Sequence, residues 1–179
     1  CHLSEDGRWA TSCRTLEAVQ LTNAYILKNH GQLGMFATLF FGVLDTQAGT
    51  LDYVNAGHEP PLILSDHGIK VKLTPCGPAI GLVEDAVFTV KRALLTPGDV
   101  FFSYTDGLTE ARSAQDELFS RRRLEDDLTN RCFASAGNLL THIQDNLAAF
   151  TQNASQEDDI TLLAVHRLGH TDADPLTVL

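Results

Sequence analysis

The sequence predicts an α+β layered domain rather than a βαβ winding. Several short apolar runs follow one another between residues 36 and 104, two helical stretches come next, and one apolar run returns at residues 160–165. Strands in succession, then paired helices, then a returning strand are the order of a layered fold.

Residues 1–14 are polar and patternless, and read as a poorly structured N-terminal segment. From Thr15 onward, Leu16, Val19, Asn23, Ile26 and Leu27 recur at helical spacing, with Thr15 as N-cap and Gly31 as stop. Residues 36–44 are apolar on both alternating faces, which predicts a strand covered on both sides. The turn Asp45-Thr46-Gln47-Ala48-Gly49 leads into a second strand over residues 50–56, so the two form a hairpin.

Gly57-His58-Glu59-Pro60-Pro61 breaks that strand, and Leu62-Ile63-Leu64 resumes it or begins another. Asp66-His67-Gly68 turns into residues 69–73, and residues 75–81 form a loop rich in Gly and Pro. Strands over residues 88–94 and 100–104 flank the tight turn Thr96-Pro97-Gly98-Asp99. Helices follow over residues 120–131 and 136–151, then the last strand. No periodicity remains from Gly169, so the domain spans residues 15–168 and residues 169–179 are a tail.

The chain of 179 residues is long enough for one domain with a sizeable core. Its net charge of −10 argues against a nucleic-acid partner, since no basic stripe is present to replace phosphate counterions. The one basic cluster, Arg121-Arg122-Arg123, is followed at once by Glu125-Asp126-Asp127 and reads as a solvated helix start. The longest apolar run, residues 35–44, is too short to span a bilayer. The first residues lack the basic-then-apolar pattern of an export signal, so no membrane association is expected and the cytoplasm is the default compartment. Four scattered cysteines without CxxC or Cys/His spacing indicate neither a zinc site nor a disulfide framework.

Two acidic motifs carry the chemistry. Tyr104-Thr105-Asp106-Gly107-Leu108-Thr109-Glu110 follows an apolar strand, and Asp158-Asp159-Ile160-Thr161 precedes one. Each sets a carboxylate at the end of a buried strand, and two such carboxylates meeting in space would form a hard-cation site suited to phosphate chemistry. Taken alone, Asp106-Gly107 is as well explained by an ordinary Asp-Gly turn. Asp158-Asp159 alone stays open between a solvated loop and an acidic pair that wants a cation. His58, at a strand end, reads as a loop-bonding histidine more readily than as a general acid or ligand. Gly77-Pro78-Ala79-Ile80-Gly81-Leu82 lacks the Walker lysine and the glycine spacing of a dinucleotide site, and reads as a flexible loop near the site. No arrangement supports covalent catalysis.

Five strings in order resemble the SpoIIE-type branch of the metal-dependent PP2C (PPM) serine/threonine phosphatases. They are Met35-Phe36-Ala37-Thr38-Leu39-Phe40-Phe41-Gly42-Val43-Leu44-Asp45, Asn55-Ala56-Gly57-His58-Glu59-Pro60-Pro61 and Leu95-Thr96-Pro97-Gly98-Asp99-Val100, then Tyr104-Thr105-Asp106-Gly107-Leu108-Thr109-Glu110-Ala111-Arg112 and Asp158-Asp159-Ile160-Thr161-Leu162-Leu163. The resemblance implies an αββα sandwich, two antiparallel sheets flanked by helices, with its N-terminal part missing. It implies hydrolysis of phosphoserine or phosphothreonine on a regulatory protein, a STAS-type anti-anti-sigma factor, by a metal-bridged hydroxide. Mn²⁺ or Mg²⁺ would be the cofactor of a two-metal centre.

Carried over by motif, Asp106 and Asp158 match catalytic metal-binding aspartates, with Gly107 beside the first. Asp159 stands where relatives often carry Asn, and takes a supporting role. The family's N-terminal Asp motifs, which supply further ligands, have no counterpart here, so the centre is expected to be incomplete in this chain. The chain is then part of a longer phosphatase, pairing its strand edges or forming a homodimer, or it is a non-catalytic partner-binding pseudophosphatase module. A metal-dependent phosphoesterase acting on small molecules is a third reading.

Overall fold

The computed structural model describes residues 8–152, 154, 156 and 158–169. Helix α1 (Arg8–His30) and a 3₁₀ turn (Gly31–Leu33) precede strands β1 (Leu39–Leu44), β2 (Thr50–Ala56), β3 (Leu62–Ser65), β4 (Gly68–Lys72), β5 (Lys91–Leu94) and β6 (Val100–Tyr104). Helices α2 (Asp106–Glu110), α3 (Arg121–Leu128) and α4 (Ala136–Thr151) lead to β7 (Leu162–His166).

Helix α1 begins at Arg8, inside the segment expected to lack structure. Thr15 is therefore not its cap. It is fully buried, and its hydroxyl donates to the Thr11 carbonyl one turn back at 2.9 Å. Thr15, Val19 and Asn23 form a narrow buried stripe on a helix that is otherwise largely solvated. A stripe with two polar members hides the helical period from a hydrophobicity reading. Residues 1–7, and the tail beyond Gly169, lie outside the described residues.

The strands form two antiparallel sheets, β1-β2-β5 and β4-β3-β6-β7. The hairpin register runs from Leu39 opposite Ala56 to Leu44 opposite Leu51. Strand alternation divides the apolar side chains into layers. Leu51, Tyr53, Ile63, Leu95 and Phe101 meet between the sheets. Leu62, Leu64, Phe102 and Tyr104 point the other way, onto Leu124, Leu128, Leu139 and Ile143 of α3 and α4. Val54 and Ala56 pack against Val19 of α1. Helix, sheet, sheet and helices thus stack in the αββα order that the resemblance implies.

Ser120 and Ser135 set the starts of α3 and α4 by accepting from the amides of Arg123 and Asn138, which satisfies donors that a helix start otherwise leaves free. Strand β1 departs from expectation. It is an edge strand, and Val43 is exposed, so it is not covered on both sides. Strand β7 is likewise an edge, with Leu163 and Val165 exposed. Between them lies a cavity of about 370 Å³ lined by Phe40, Leu44, Phe101, Ser103, Leu163 and Val165, among others. The inter-sheet core is therefore open along the β1 and β7 edges. Among the described residues, no helix is long and apolar enough to cross a membrane, and Cys76 and Cys132 are free thiols.

Candidate metal centre

Strand β6 delivers Asp106 to the end of its sheet, and β7 starts beside it after Asp158 and Asp159. The pairing that aligns them is antiparallel, with Tyr104 opposite Leu162. Beyond the last pair the two chains stay stitched together. The Thr105 amide donates to the Thr161 carbonyl at 3.1 Å. The Thr105 hydroxyl donates to the Asp159 carbonyl at 3.1 Å and accepts from the Thr161 amide at 3.0 Å. Two acidic motifs more than fifty residues apart in sequence are thereby fixed side by side.

Gly107 completes the junction. A Cβ placed on it would lie 2.5 Å from the Asp159 carbonyl oxygen, which is closer than side chains tolerate. Glycine is required here because backbone from the β7 approach occupies the space a side chain would take. Asp106-Gly107 is not a plain turn. Asp106 opens the short helix α2, with Gly107, Leu108 and Thr109 buried behind it and the Asp106 side chain exposed. The Asp106 Oδ1 accepts from the Gly107 amide at 3.0 Å, and the Asp158 Oδ1 from the Asp159 amide at 2.7 Å. Asp158 and Asp159 are also exposed. A cavity of about 260 Å³ adjoins the junction, lined by Gly107, Glu110, Ala111, Arg112, Gln156 and Asp158 among others.

The donors at this end are carboxylate oxygens, which suit a hard cation such as Mg²⁺ or Mn²⁺ in kind. In number they are short. Among the described residues, no group of three or more His, Cys, Asp or Glu side chains is placed to hold a metal ion.

His58 sits close by, beside Ser103 of β6. Its backbone amide donates to Asn55 Oδ1 at 2.9 Å, and the Asn55 Nδ2 donates to the Leu73 carbonyl at 2.9 Å. Buried Asn55 thus braces the turn that aims the imidazole, whose Nε2 lies 3.5 Å from the Ser103 hydroxyl. Burial pushes the His58 pKa below its ordinary value, while the Glu59 and Asp106 carboxylates pull it the other way. Glu59 forms a bidentate pair with Arg121, at 3.0 and 2.7 Å, tying this turn to α3. Tyr104 is enclosed beneath, stacked on Phe102 at 5.5 Å. Its hydroxyl is buried beside the Arg121 guanidinium, and burial raises its phenol well above the usual range.

The Gly77–Leu82 stretch is not a flexible loop at the site. Ala37 and Ile80 exchange both backbone hydrogen bonds at 2.9 Å, and the Cys76 amide donates to the Asn55 carbonyl at 2.8 Å. Gly77 packs where a Cβ would lie 2.3 Å from the Phe88 ring. The stretch extends the three-stranded sheet and lines neither the cavity beside Asp158 nor the one between the sheets. Sequence reasoning missed the Thr105 stitch and the Glu59–Arg121 pair. A hydroxyl directly before the Asp-Gly was the available signal for the first, while nothing local signals a pair 62 residues apart.

An αββα sandwich with an acidic junction where β6 ends and the edge strand β7 begins defines the class: this is the fold of PP2C-type phosphatase domains. The family described as Stage II sporulation protein E (SpoIIE) matches residues 9–168. The chain belongs to the SpoIIE family. It is 44% identical over 162 residues to protein IcfG of Synechocystis sp., a match covering 90% of this chain and 25% of IcfG. It is 25% identical over 143 residues to phosphoserine phosphatase RsbU of Bacillus subtilis, covering 79% of this chain and 42% of RsbU. Among solved structures, the RsbU and RsbW domains of Rv1364c from Mycobacterium tuberculosis superpose with a TM-score of 0.66 at 29% identity, over 86% of this chain and 42% of that one. The chain thus spans a quarter to under half of these relatives.

Proposed function

We propose that this chain is part of a metal-dependent protein phosphatase that hydrolyses phosphoserine or phosphothreonine. The observation that carries the reading is the junction of Thr105 and Gly107 with Asp159, which sets both acidic motifs at one end of the sandwich. Family membership and the phosphoserine phosphatase RsbU among the relatives support the same reaction.

In this reading Asp106 and Asp158 hold Mg²⁺ or Mn²⁺, with Asp159 in support. A cation held there would supply an activated water and neutralise charge on the phosphoryl oxygens. Thr105 and Gly107 keep the two carboxylate-bearing segments in register. A cavity of about 260 Å³ lies beside Asp158, next to the junction. The substrate we propose is a STAS-domain regulator, in keeping with the RsbU and RsbW domains joined in one structural neighbour. The centre is completed by ligands that the described residues do not supply, and the functional unit is a homodimer in the cytoplasm.

The absence of a three-ligand group among the described residues favours a second reading, a partner-binding module without turnover. One experiment separates them. The longer protein is assayed with Mn²⁺ against a phosphorylated STAS-domain protein, and binding is measured in parallel. Release of phosphate supports the phosphatase; binding without release supports the module.

A further inference from the structure

Directly after α2 the chain folds back on itself over residues 111–119. The Phe119 amide donates to the Ala111 carbonyl at 2.7 Å and the Ser113 amide to the Glu117 carbonyl at 2.9 Å, and Arg112 and Leu118 are bridged antiparallel between them. Buried Ser113 closes the tip, its hydroxyl accepting from the Gln115 and Glu117 amides, both at 3.2 Å. Asp116 has a φ of 66°, a left-handed backbone uncommon for a residue with a Cβ. With that backbone, two oxygens of Asp116 meet one nitrogen of Arg112. The Arg112 Nη1 donates to the Asp116 Oδ1 at 2.9 Å and to the Asp116 carbonyl at 3.2 Å. The fold-back thus holds one guanidinium in place.

Its position bears on the acidic junction. Arg112 lines the cavity of about 260 Å³ that Gly107 and Asp158 also line. Among the described residues lining it, Arg112 is the one cation, set against the carboxylates of Glu110 and Asp158. A phosphoryl dianion approaching this end meets those carboxylates and a chain of net charge −10, and Coulomb repulsion opposes it. A fixed cation in the same cavity offsets that repulsion locally. A guanidinium does so with directional bonds as well, because its planar fork matches two phosphoryl oxygens at once. Holding it beforehand reduces the side-chain entropy that binding would otherwise cost.

We propose that Arg112 receives the phosphoryl oxygens of the substrate beside the acidic junction, and so sets the preference for a phosphorylated over an unphosphorylated side chain. The inference rests on the phosphatase reading above and names a specificity residue for it. Asp116 is the positioning residue that holds the guanidinium.

Inorganic phosphate titrated into the 179-residue chain, followed by nuclear magnetic resonance at matched ionic strength against chloride, tests it. The Arg112 Nε signal and the amides of residues 107–112 are expected to shift saturably. Arg112→Gln should weaken phosphate binding by about tenfold or more, with an unchanged unfolding midpoint, and Arg112→Lys should keep part of it. Asp116→Asn removes the ion pair but keeps the guanidinium and suits the left-handed backbone, so it should retain binding. No saturable shift in the wild type overturns the proposal. So does equal binding in Arg112→Gln, and so does an equal loss in Arg112→Gln and Asp116→Asn, which would assign the effect to the fold-back alone. In the longer protein with Mn²⁺, Arg112→Gln should raise KM for a phosphoserine protein while the Mn²⁺ requirement stays the same. A changed Mn²⁺ requirement with KM unaltered would overturn the assignment. Phosphate binding that depends on Arg112, in a longer protein that releases no phosphate, removes the phosphatase reading and leaves Arg112 as a phosphate-binding residue.

Discussion

The Thr105 hydroxyl donates to the carbonyl of Asp159, 54 residues away, and accepts from the Thr161 amide in return. One side chain at the end of β6 thus decides where the β7 approach, with its acidic pair, is held. Replacing it by Val keeps the shape and β propensity while removing both hydrogen bonds. Thr105→Val is expected to cost about 1–2 kcal/mol in urea unfolding and to raise the Mn²⁺ concentration needed for half-maximal binding. Thr105→Ser should restore most of both. Equal metal binding in the Val variant would show that the stitch does not position the carboxylates.

Gly107→Ala tests the same junction through sterics alone. Its Cβ would sit 2.5 Å from the Asp159 oxygen, so backbone must move. A destabilisation of about 1–3 kcal/mol is expected from such overpacking, with weakened Mn²⁺ binding by calorimetry. A variant with wild-type stability and affinity would contradict the close approach.

Asp52 supplies a pH dependence remote from the site. It is buried, and hydrogen bonds from Arg92 hold its carboxyl below the usual range, with Ser12 helping and burial opposing. The folded value lies below the unfolded one, so the unfolded state binds more protons in acid. The contribution is complete above the unfolded value of about 3.9, and is lost as pH falls through the folded value. Stability should therefore drop on acidification below about pH 4, and Asp52→Asn should flatten that part of the curve. Urea midpoints measured from pH 6 downward would reveal it.

Phe102 is fully buried between β6 and the helices, stacked on Tyr104. Phe102→Ala should cost about 3–5 kcal/mol in chemical denaturation. Because Phe102 lies two residues before Tyr104 and four before Asp106, metal binding should weaken along with the fold. A loss below about 1 kcal/mol would mean that the helix layer is not packed on this strand.

Much of this architecture was legible in the sequence because strand alternation and turn chemistry are local. The hairpin over Asp45–Gly49, the helix over residues 136–151 and the α+β class could be read from local pattern, while the αββα order of the layers came from the family resemblance. Helix α1 was partly hidden, since Thr15 and Asn23 occupy its buried stripe and break the apolar period. Strand β1 was misjudged as doubly covered because its apolar content is the same whether or not a neighbour is present. At the site, the acidic pairs were visible as motifs, but their meeting depends on long-range contacts of Thr105 and Gly107. No window of sequence contains both partners of such a contact.

The central claim is that Asp106 serves a metal-dependent hydrolysis. The most direct measurement is phosphate release from a phosphoserine protein by the longer protein at saturating Mn²⁺, for wild type and Asp106→Asn. Asp106 is exposed, so the variant should keep its unfolding midpoint. The account predicts that turnover is abolished while the fold remains. Unchanged turnover in a folded Asp106→Asn protein would contradict it.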